Sequence, residues 1–122
     1  MNQREGESMS SAGDCLFCRI VAGEVGTKVH EDDLVAAFED IQPQAPHHTL
    51  IVPREHLASA AELGPRHEAM AGRLLTTAAR LARDKGLSSY RLVMNCGEEA
   101  GQSVFHIHLH LLGGRGFAWP PG

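Results

Sequence analysis

The sequence predicts an antiparallel α+β fold, a sheet of about five strands with one long helix and a short N-terminal one. Three observations carry this. About five extended runs are arranged in hairpins, a single long stretch has helical periodicity, and residues 105–111 alternate strictly between apolar and histidine. The 122 residues leave room for one domain, with 43% hydrophobic and 21% charged residues, which excludes disordered and coiled-coil classes. A net charge of −4 from scattered groups argues against a nucleic-acid partner.

Residues 1–13 are rich in Ser, Gly and charge and are expected to form a disordered tail, so the domain should span 14–122. No run approaches the roughly 20 apolar residues of a membrane span, and no hydrophobic leader is visible, which predicts a cytoplasmic protein without a membrane partner. Asp14 is placed to cap a short helix over 15–22, closed by Gly23, with Leu16, Phe17 and Ile20 on its apolar side. Strands are expected over 27–30 and 34–39, turned by Asp32 and Asp33. Pro43 and Pro46 force a loop, and 48–52 reads as a buried strand stopped by Pro53.

Residues 56–63 suggest one or two helical turns, and Gly64-Pro65 starts the long helix. Met70, Leu74, Ala78, Leu81 and Ala82 recur there at three- and four-residue spacing up to Lys85-Gly86. Strands over 90–95 and 104–112 complete the set, joined by the glycine-rich loop 97–101. On the last strand Phe105, Ile107, Leu109 and Leu111 would share one face and His106, His108 and His110 the other.

Three histidines in five residues, out of eight in the chain, admit three readings. They are polar filler on an outer face, a His-x-His metal site, or a phosphate site in which a neutral imidazole attacks phosphorus while its neighbours stabilise the oxygens. Cys15 and Cys18 form a Cys-x-x-Cys pair compatible with metal, redox chemistry or coincidence. The odd count of three cysteines makes a disulfide framework a poor explanation. Cys96 has no assigned role, and His30 and His67 are expected to be solvated.

The run Gln102-Ser103-Val104-Phe105-His106-Ile107-His108-Leu109-His110-Leu111-Leu112 resembles the signature of the histidine triad (HIT) family. Cys15-Leu16-Phe17-Cys18-Arg19-Ile20, Phe38-Glu39-Asp40-Ile41-Gln42-Pro43 and Gly113-Gly114-Arg115 with the ending Trp119-Pro120-Pro121-Gly122 are similar to the Hint branch of that family. The resemblance implies a homodimeric purine nucleoside phosphoramidase that cleaves the P–N bond of AMP or GMP phosphoramidates through a nucleotidyl-histidine. The alternatives are a dinucleoside polyphosphate hydrolase or nucleotidyl transferase, or a non-enzymatic nucleotide-binding adaptor.

By motif position, His108 would be the nucleophile, with His110, His48 and Ser103 completing the catalytic set. Phe17, Asp40, Ile41, Asn95, Gln102, Ser103, His108, His110 and Trp119 would contact the nucleotide. Within that set Asp40 takes the ribose hydroxyls and Phe17 and Ile41 sandwich the base. Strand alternation allows only one of His47 and His48 to face the site, and the spacing from Pro46 favours His48. The resemblance also implies structural zinc on Cys15, Cys18, His56 and His106, with a reduced thiol pair as the alternative and no cofactor for catalysis. The C-terminal tail, in members of this branch, reaches the neighbouring subunit's pocket and would shape the choice of leaving group.

Overall fold

The computed structural model describes residues 14–122, so the expected tail 1–13 lies outside the described residues. The elements in chain order are α1 (Leu16–Val21), β1 (His30–Glu31), β2 (Val35–Glu39), β3 (His47–Pro53), α2 (Glu68–Asp84), β4 (Tyr90–Val93) and β5 (Leu109–Gly113). The strands form one antiparallel sheet in the order β1-β2-β3-β5-β4. No helix among the described residues is long and apolar enough to cross a membrane.

Alternation along β2 and β3 sends side chains to two different cores, which is why both strands are buried almost end to end. Val35, Ala37 and Ile51 meet Met70, Leu74, Ala78, Leu81 and Ala82 of α2, together with Ile107, Leu109 and Leu111. The five helix positions chosen by periodicity are all buried, and truncating the fully packed Leu74 to alanine should cost about 3 kcal/mol. Ala36, Phe38, Leu50 and Val52 point the other way and are covered by Cys15, Phe17 and Val21.

Several expected boundaries shift, each because a backbone group finds another partner. Cys15, not Asp14, caps α1, its Sγ accepting from the Cys18 N–H at 3.3 Å. The run 27–30 contributes only His30 to the sheet, joined by Glu31 in a two-residue strand, although the Val29 N–H still reaches the Ala37 carbonyl at 2.8 Å. Residues 56–63 form only the 3-10 turn Ala60–Glu62, because the Leu57 carbonyl takes the Ile107 N–H and the Ala58 carbonyl takes the Gln102 amide.

The largest revision concerns 104–112, of which only Leu109 onward joins the ladder. Pairing with β3 stops at Ile51 opposite Leu109; Pro53 has no N–H to offer, and its carbonyl accepts from the His106 ring at 2.9 Å. His106 and His108 therefore sit on an extended segment beyond the ladder, and Phe105 lies outside the two cores. The strand expected over 90–95 likewise ends at Val93, where it pairs with His110.

His30 and His67 are not solvated. His30 lies between the Asp32 carboxylate and the Arg80 guanidinium, at 2.7 Å from each, and His67 is buried with its Nδ1 accepting from the Gly64 N–H. Both serve structure, the first holding the β1–β2 turn against α2 and the second pinning the entry to α2.

Candidate active site

The face of the sheet opposite α2 gathers the candidate site. β3 sends His48, Leu50 and Val52 to that face, and the register that sets Leu50 opposite His110 makes His48 and His110 diagonal neighbours on adjacent strands. A cleft of about 330 Å³ opens there, lined by Phe17, Phe38, Asp40, Ile41, Ser103, Val104, His108 and His110 with Leu16, Ile20, Glu39, Gln42 and Leu50. Apolar walls at one end and two imidazoles with a carboxylate at the other suit a ligand with an aromatic part and an anionic part.

Backbone groups fix the protons on these rings. His108 Nδ1 lies 2.8 Å from the His106 carbonyl, which can only accept, so Nδ1 carries the hydrogen and Nε2 keeps its lone pair. The Phe17 ring packs edge-on against His108 at 5.2 Å between centroids and limits its rotation.

His48 is set the opposite way. The Gln44 N–H donates to its Nδ1 at 3.0 Å, which leaves the hydrogen on Nε2, and Nε2 donates to His110 Nδ1 at 2.8 Å. His110 must then hold its own hydrogen on Nε2, a buried nitrogen without a partner among the described residues. Burial, reinforced by the neighbouring His108 and His48, pushes His110 down to about 4 against the pull of Asp40. Burial likewise lowers His48, opposed by Asp40 and Glu39. Both rings are neutral at pH 7, and the pair ends in one unused N–H donor.

Asp40 follows β2, and its Oδ1 accepts from the Gln42 N–H at 2.8 Å while Oδ2 stands 3.4 Å from His48 Nε2. One carboxylate oxygen shapes the loop and the other lines the cleft. Ile41 is 91% exposed, an unusual position for isoleucine unless something covers it.

The remaining expected residues are distributed unevenly. Asn95 lies beyond the His48–His110 pair, in a shallower hollow of about 190 Å³ with Gln44, Val93 and Leu112. Gln102 is buried with its amide spent on backbone groups: Oε1 accepts from the Gly97 N–H, and Nε2 donates to the Ala58 and Val104 carbonyls. It braces the loop before the histidine segment and does not line the cleft. Trp119 is 83% exposed and lines none of the described clefts. Sequence reasoning missed the backbone of Gln44; its only signal was the pair of prolines that stiffen the loop on either side.

A second cluster lies behind His108. Cys15 Sγ and Cys18 Sγ approach His106 Nδ1 at 3.3 and 3.4 Å, and His56 Nδ1 lies 3.2 Å from Cys18 Sγ and 3.3 Å from His106 Nδ1. The His106 Nε2–H donates to the Pro53 carbonyl, so its Nδ1 lone pair faces the sulfurs. Burial, with Cys15 close by, pushes the Cys18 thiol up to about 12. Burial also depresses His106 to about 4, with His56 and His108 adding to the effect against the Pro53 hydrogen bond.

A family model for the HIT domain matches residues 24–117. The chain belongs to the HIT family. It is 44% identical over 107 residues to the purine nucleoside phosphoramidase of Escherichia coli K12, covering 85% of this chain and 90% of that one. It is 47% identical over 113 residues to an uncharacterized HIT-like protein of Synechocystis, covering 91% and 99% of the two chains. Among solved structures, a HIT family hydrolase from Legionella pneumophila superposes with a TM-score of 0.86 at 49% identity, covering 88% of this chain and 99% of that one. The five-stranded antiparallel sheet with one main helix is thus a HIT fold.

Proposed function

We propose that this HIT protein is a purine nucleoside phosphoramidase that works through a nucleotidyl-histidine. The observation that carries the reading is the pairing, in one cleft, of a bare imidazole nitrogen on His108 with an unused N–H donor on His110. A nucleophile needs a lone pair and the phosphoryl group it attacks needs donors for its oxygens, and the two rings divide these tasks. The likeness to the E. coli phosphoramidase supports the choice of bond.

In this reading the base lies between Phe17 and Ile41, the ribose hydroxyls donate to Asp40, and the phosphate sits between His108 and His110 with Ser103 at the rim. His108 Nε2 forms a bond to phosphorus as the P–N bond breaks, and the nitrogen leaves as the amine with a proton taken from solvent, which the attacking water of the second step gives back. Water then attacks phosphorus, releasing the nucleoside monophosphate and returning the lone pair to His108. Asn95, on the far side of His110, would act through the His48–His110 pair.

The cysteine cluster fits a structural zinc. Tetrahedral zinc with bonds of roughly 2.3 Å to sulfur and 2.0 Å to nitrogen sets its ligands about 3.3 to 3.8 Å apart. Four of the pairs among these ligand atoms stand 3.2 to 3.4 Å apart already, with the His106 lone pair turned inward. Cys15, Cys18, His56 and His106 would hold the ion as a closed site, and its charge would let the Cys18 thiol ionise where burial otherwise opposes it. The protein is further proposed to be a homodimer. Leu75 of α2 and Tyr90 and Leu92 of the edge strand β4 are exposed apolar groups that a second copy would cover, and Trp119 would then serve the partner's cleft.

The test is a panel of adenosine and guanosine phosphoramidates and diadenosine polyphosphates with the purified protein and with His108→Ala. Phosphoramidates should be turned over fastest, the variant should lose at least about 1,000-fold in kcat while still binding AMP, and mass spectrometry should find a nucleoside monophosphate on His108. Turnover that persists in His108→Ala would overturn the mechanism, and a preference for diadenosine polyphosphates would overturn the assignment.

A further inference from the structure

The C-terminal segment is fastened to the loop that controls the histidines. Gly114 has φ +91°, and a Cβ there would stand 2.9 Å from Pro46 Cβ and 3.2 Å from His47 Cδ2, so only glycine lets the chain turn this close to the 43–46 loop. The turn delivers Arg115, whose Nε donates to the Gln44 carbonyl at 3.0 Å and whose Nη1 donates to the Gly116 carbonyl at 2.9 Å. Its guanidinium lies over the Phe117 ring at 4.2 Å, and the Arg91 guanidinium lies 5.1 Å from the same ring while donating to the Ala118 carbonyl. An exposed arginine with one contact would be free to wander; this one is held at both ends of its guanidinium.

Gln44 is gripped from both sides of its own backbone. Its carbonyl is held by Arg115, and its N–H is the donor that fixes His48. We propose that Arg115 is a positioning residue that, by clasping Gln44, keeps the Gln44 N–H on His48 Nδ1 and thereby sets which nitrogen of His48 and of His110 carries the hydrogen. The chain of contacts runs from Arg115 to Gln44, from Gln44 to His48, and from His48 to His110, without a gap longer than 3.0 Å. If Gln44 drifts, His48 loses the bond that keeps Nδ1 bare, its hydrogen can move to Nδ1, and His110 then receives a lone pair where it needs a donor. The Nε2–H of His110 is no longer enforced. The catalytic consequence rests on the phosphoramidase reading; the consequence for the two rings does not.

The experiment is nitrogen NMR of the histidine rings in the full-length protein at pH 7.5, for wild type, Arg115→Ala, Arg115→Lys and Phe117→Ala, alongside kcat and KM on an adenosine phosphoramidate. In wild type both His48 and His110 should show hydrogen on Nε2. In Arg115→Ala the His48 signals should shift to a mixture of the two tautomers, kcat should fall about tenfold and KM should stay within about twofold. Arg115→Lys keeps one donor within reach of the Gln44 carbonyl and should recover most of both readouts. Phe117→Ala removes the ring under the guanidinium and should give a smaller shift in the same direction, which decides the matter should Arg115→Ala fail to fold. Rings unchanged in Arg115→Ala, or in Phe117→Ala if that alone folds, overturn the proposal, as does a fall in kcat with both tautomers intact. Wild type without phosphoramidase activity would overturn the functional reading and leave the ring measurement to judge Arg115.

Discussion

Two clusters on the same side of the sheet use histidine in opposite ways. Cys15, Cys18, His56 and His106 on one side of His108, and Asp40, His48 and His110 on the other, each gather metal-capable groups within 4.8 Å of one another. Composition would allow either to hold a cation, but the backbone separates them. At His106 a carbonyl, from Pro53, takes the Nε2–H and leaves a lone pair facing the cysteines. At His48 an N–H, from Gln44, occupies Nδ1 and leaves a hydrogen facing His110. His106 therefore presents a lone pair to the first cluster, whereas His48 and His110 present N–H donors to the second. For His48 to bind a metal through Nε2 it would have to shed that hydrogen with Nδ1 already occupied by a donor, and an imidazole anion in a buried site is too costly. His108 stands between the two, and its Nδ1–H bonds to the His106 carbonyl itself, so the ring proposed as the nucleophile is oriented by the backbone of the first cluster and lies beside the second.

The strongest way to break this contrast is to remove the first cluster's ligands. Protein prepared without chelator is expected to hold about one zinc per chain, and Cys18→Ala to lose it. A structural zinc worth about 3 kcal/mol would lower Tm by roughly 10 °C in a domain of this size. His110→Gln should leave metal content unchanged. Metal analysis and thermal unfolding of the two variants check this together. Equal metal content in Cys18→Ala and wild type would show that the cysteine cluster holds no ion.

The second cluster should respond in rate instead of metal. His110→Gln is expected to lower kcat about 100-fold, the usual cost of a donor to developing phosphoryl charge, while Tm at pH 7.5 changes little. Acid separates the two proteins further. His110 is held near 4 in the fold, whereas an unfolded histidine titrates near 6.5. Below about pH 6.5 the unfolded chain takes up a proton that the native ring refuses, so stability is lost as pH falls from there toward 4, by up to about 1.4 kcal/mol per pH unit for this ring. Denaturant midpoints measured from pH 7.5 to 4.5 should fall more steeply for wild type than for His110→Gln. Parallel curves would mean that His110 is not buried neutral.

Much of the fold could be read from the sequence because it depends on periodicity. The helix positions 70, 74, 78, 81 and 82 follow from a repeat of 3.6, the buried strand before Pro53 from an unbroken run of Thr, Leu, Ile and Val, and the choice of His48 from strand alternation joined to the spacing from Pro46. The histidine segment was only partly legible. Alternation correctly puts Ile107, Leu109 and Leu111 in the helix-side core, yet it cannot show that His106 and His108 leave the ladder, because that depends on a proline and a ring nitrogen 53 residues apart in sequence. Gln102 shows the same limit, since its neighbours in the motif line the cleft while its own amide turns inward to brace the loop. Ring tautomers were not legible at all. They are decided by single backbone groups, the Gln44 N–H and the Pro53 and His106 carbonyls, which every residue type carries alike.

The smallest expected effect lies at the edge of the second cluster, where Asp40 serves both loop and cleft. Asp40→Asn keeps the size of the side chain and an oxygen able to accept from the Gln42 N–H, so the loop should hold its shape. What disappears is the charged acceptor proposed for the ribose hydroxyls. That contact should exist equally in the bound substrate and in the transition state, since the ribose does not react, so its loss is expected in KM and not in kcat. A charged hydrogen bond replaced by a neutral one should raise KM about fivefold for a ribonucleoside phosphoramidate, near 1 kcal/mol. The 2′,3′-dideoxy analogue has nothing to donate, so its KM should be the same for wild type and variant. If Asp40→Asn instead lowers kcat on both substrates by the same factor, the 3.4 Å approach of its carboxylate to His48 matters more than the ribose, and Asp40 belongs to the relay.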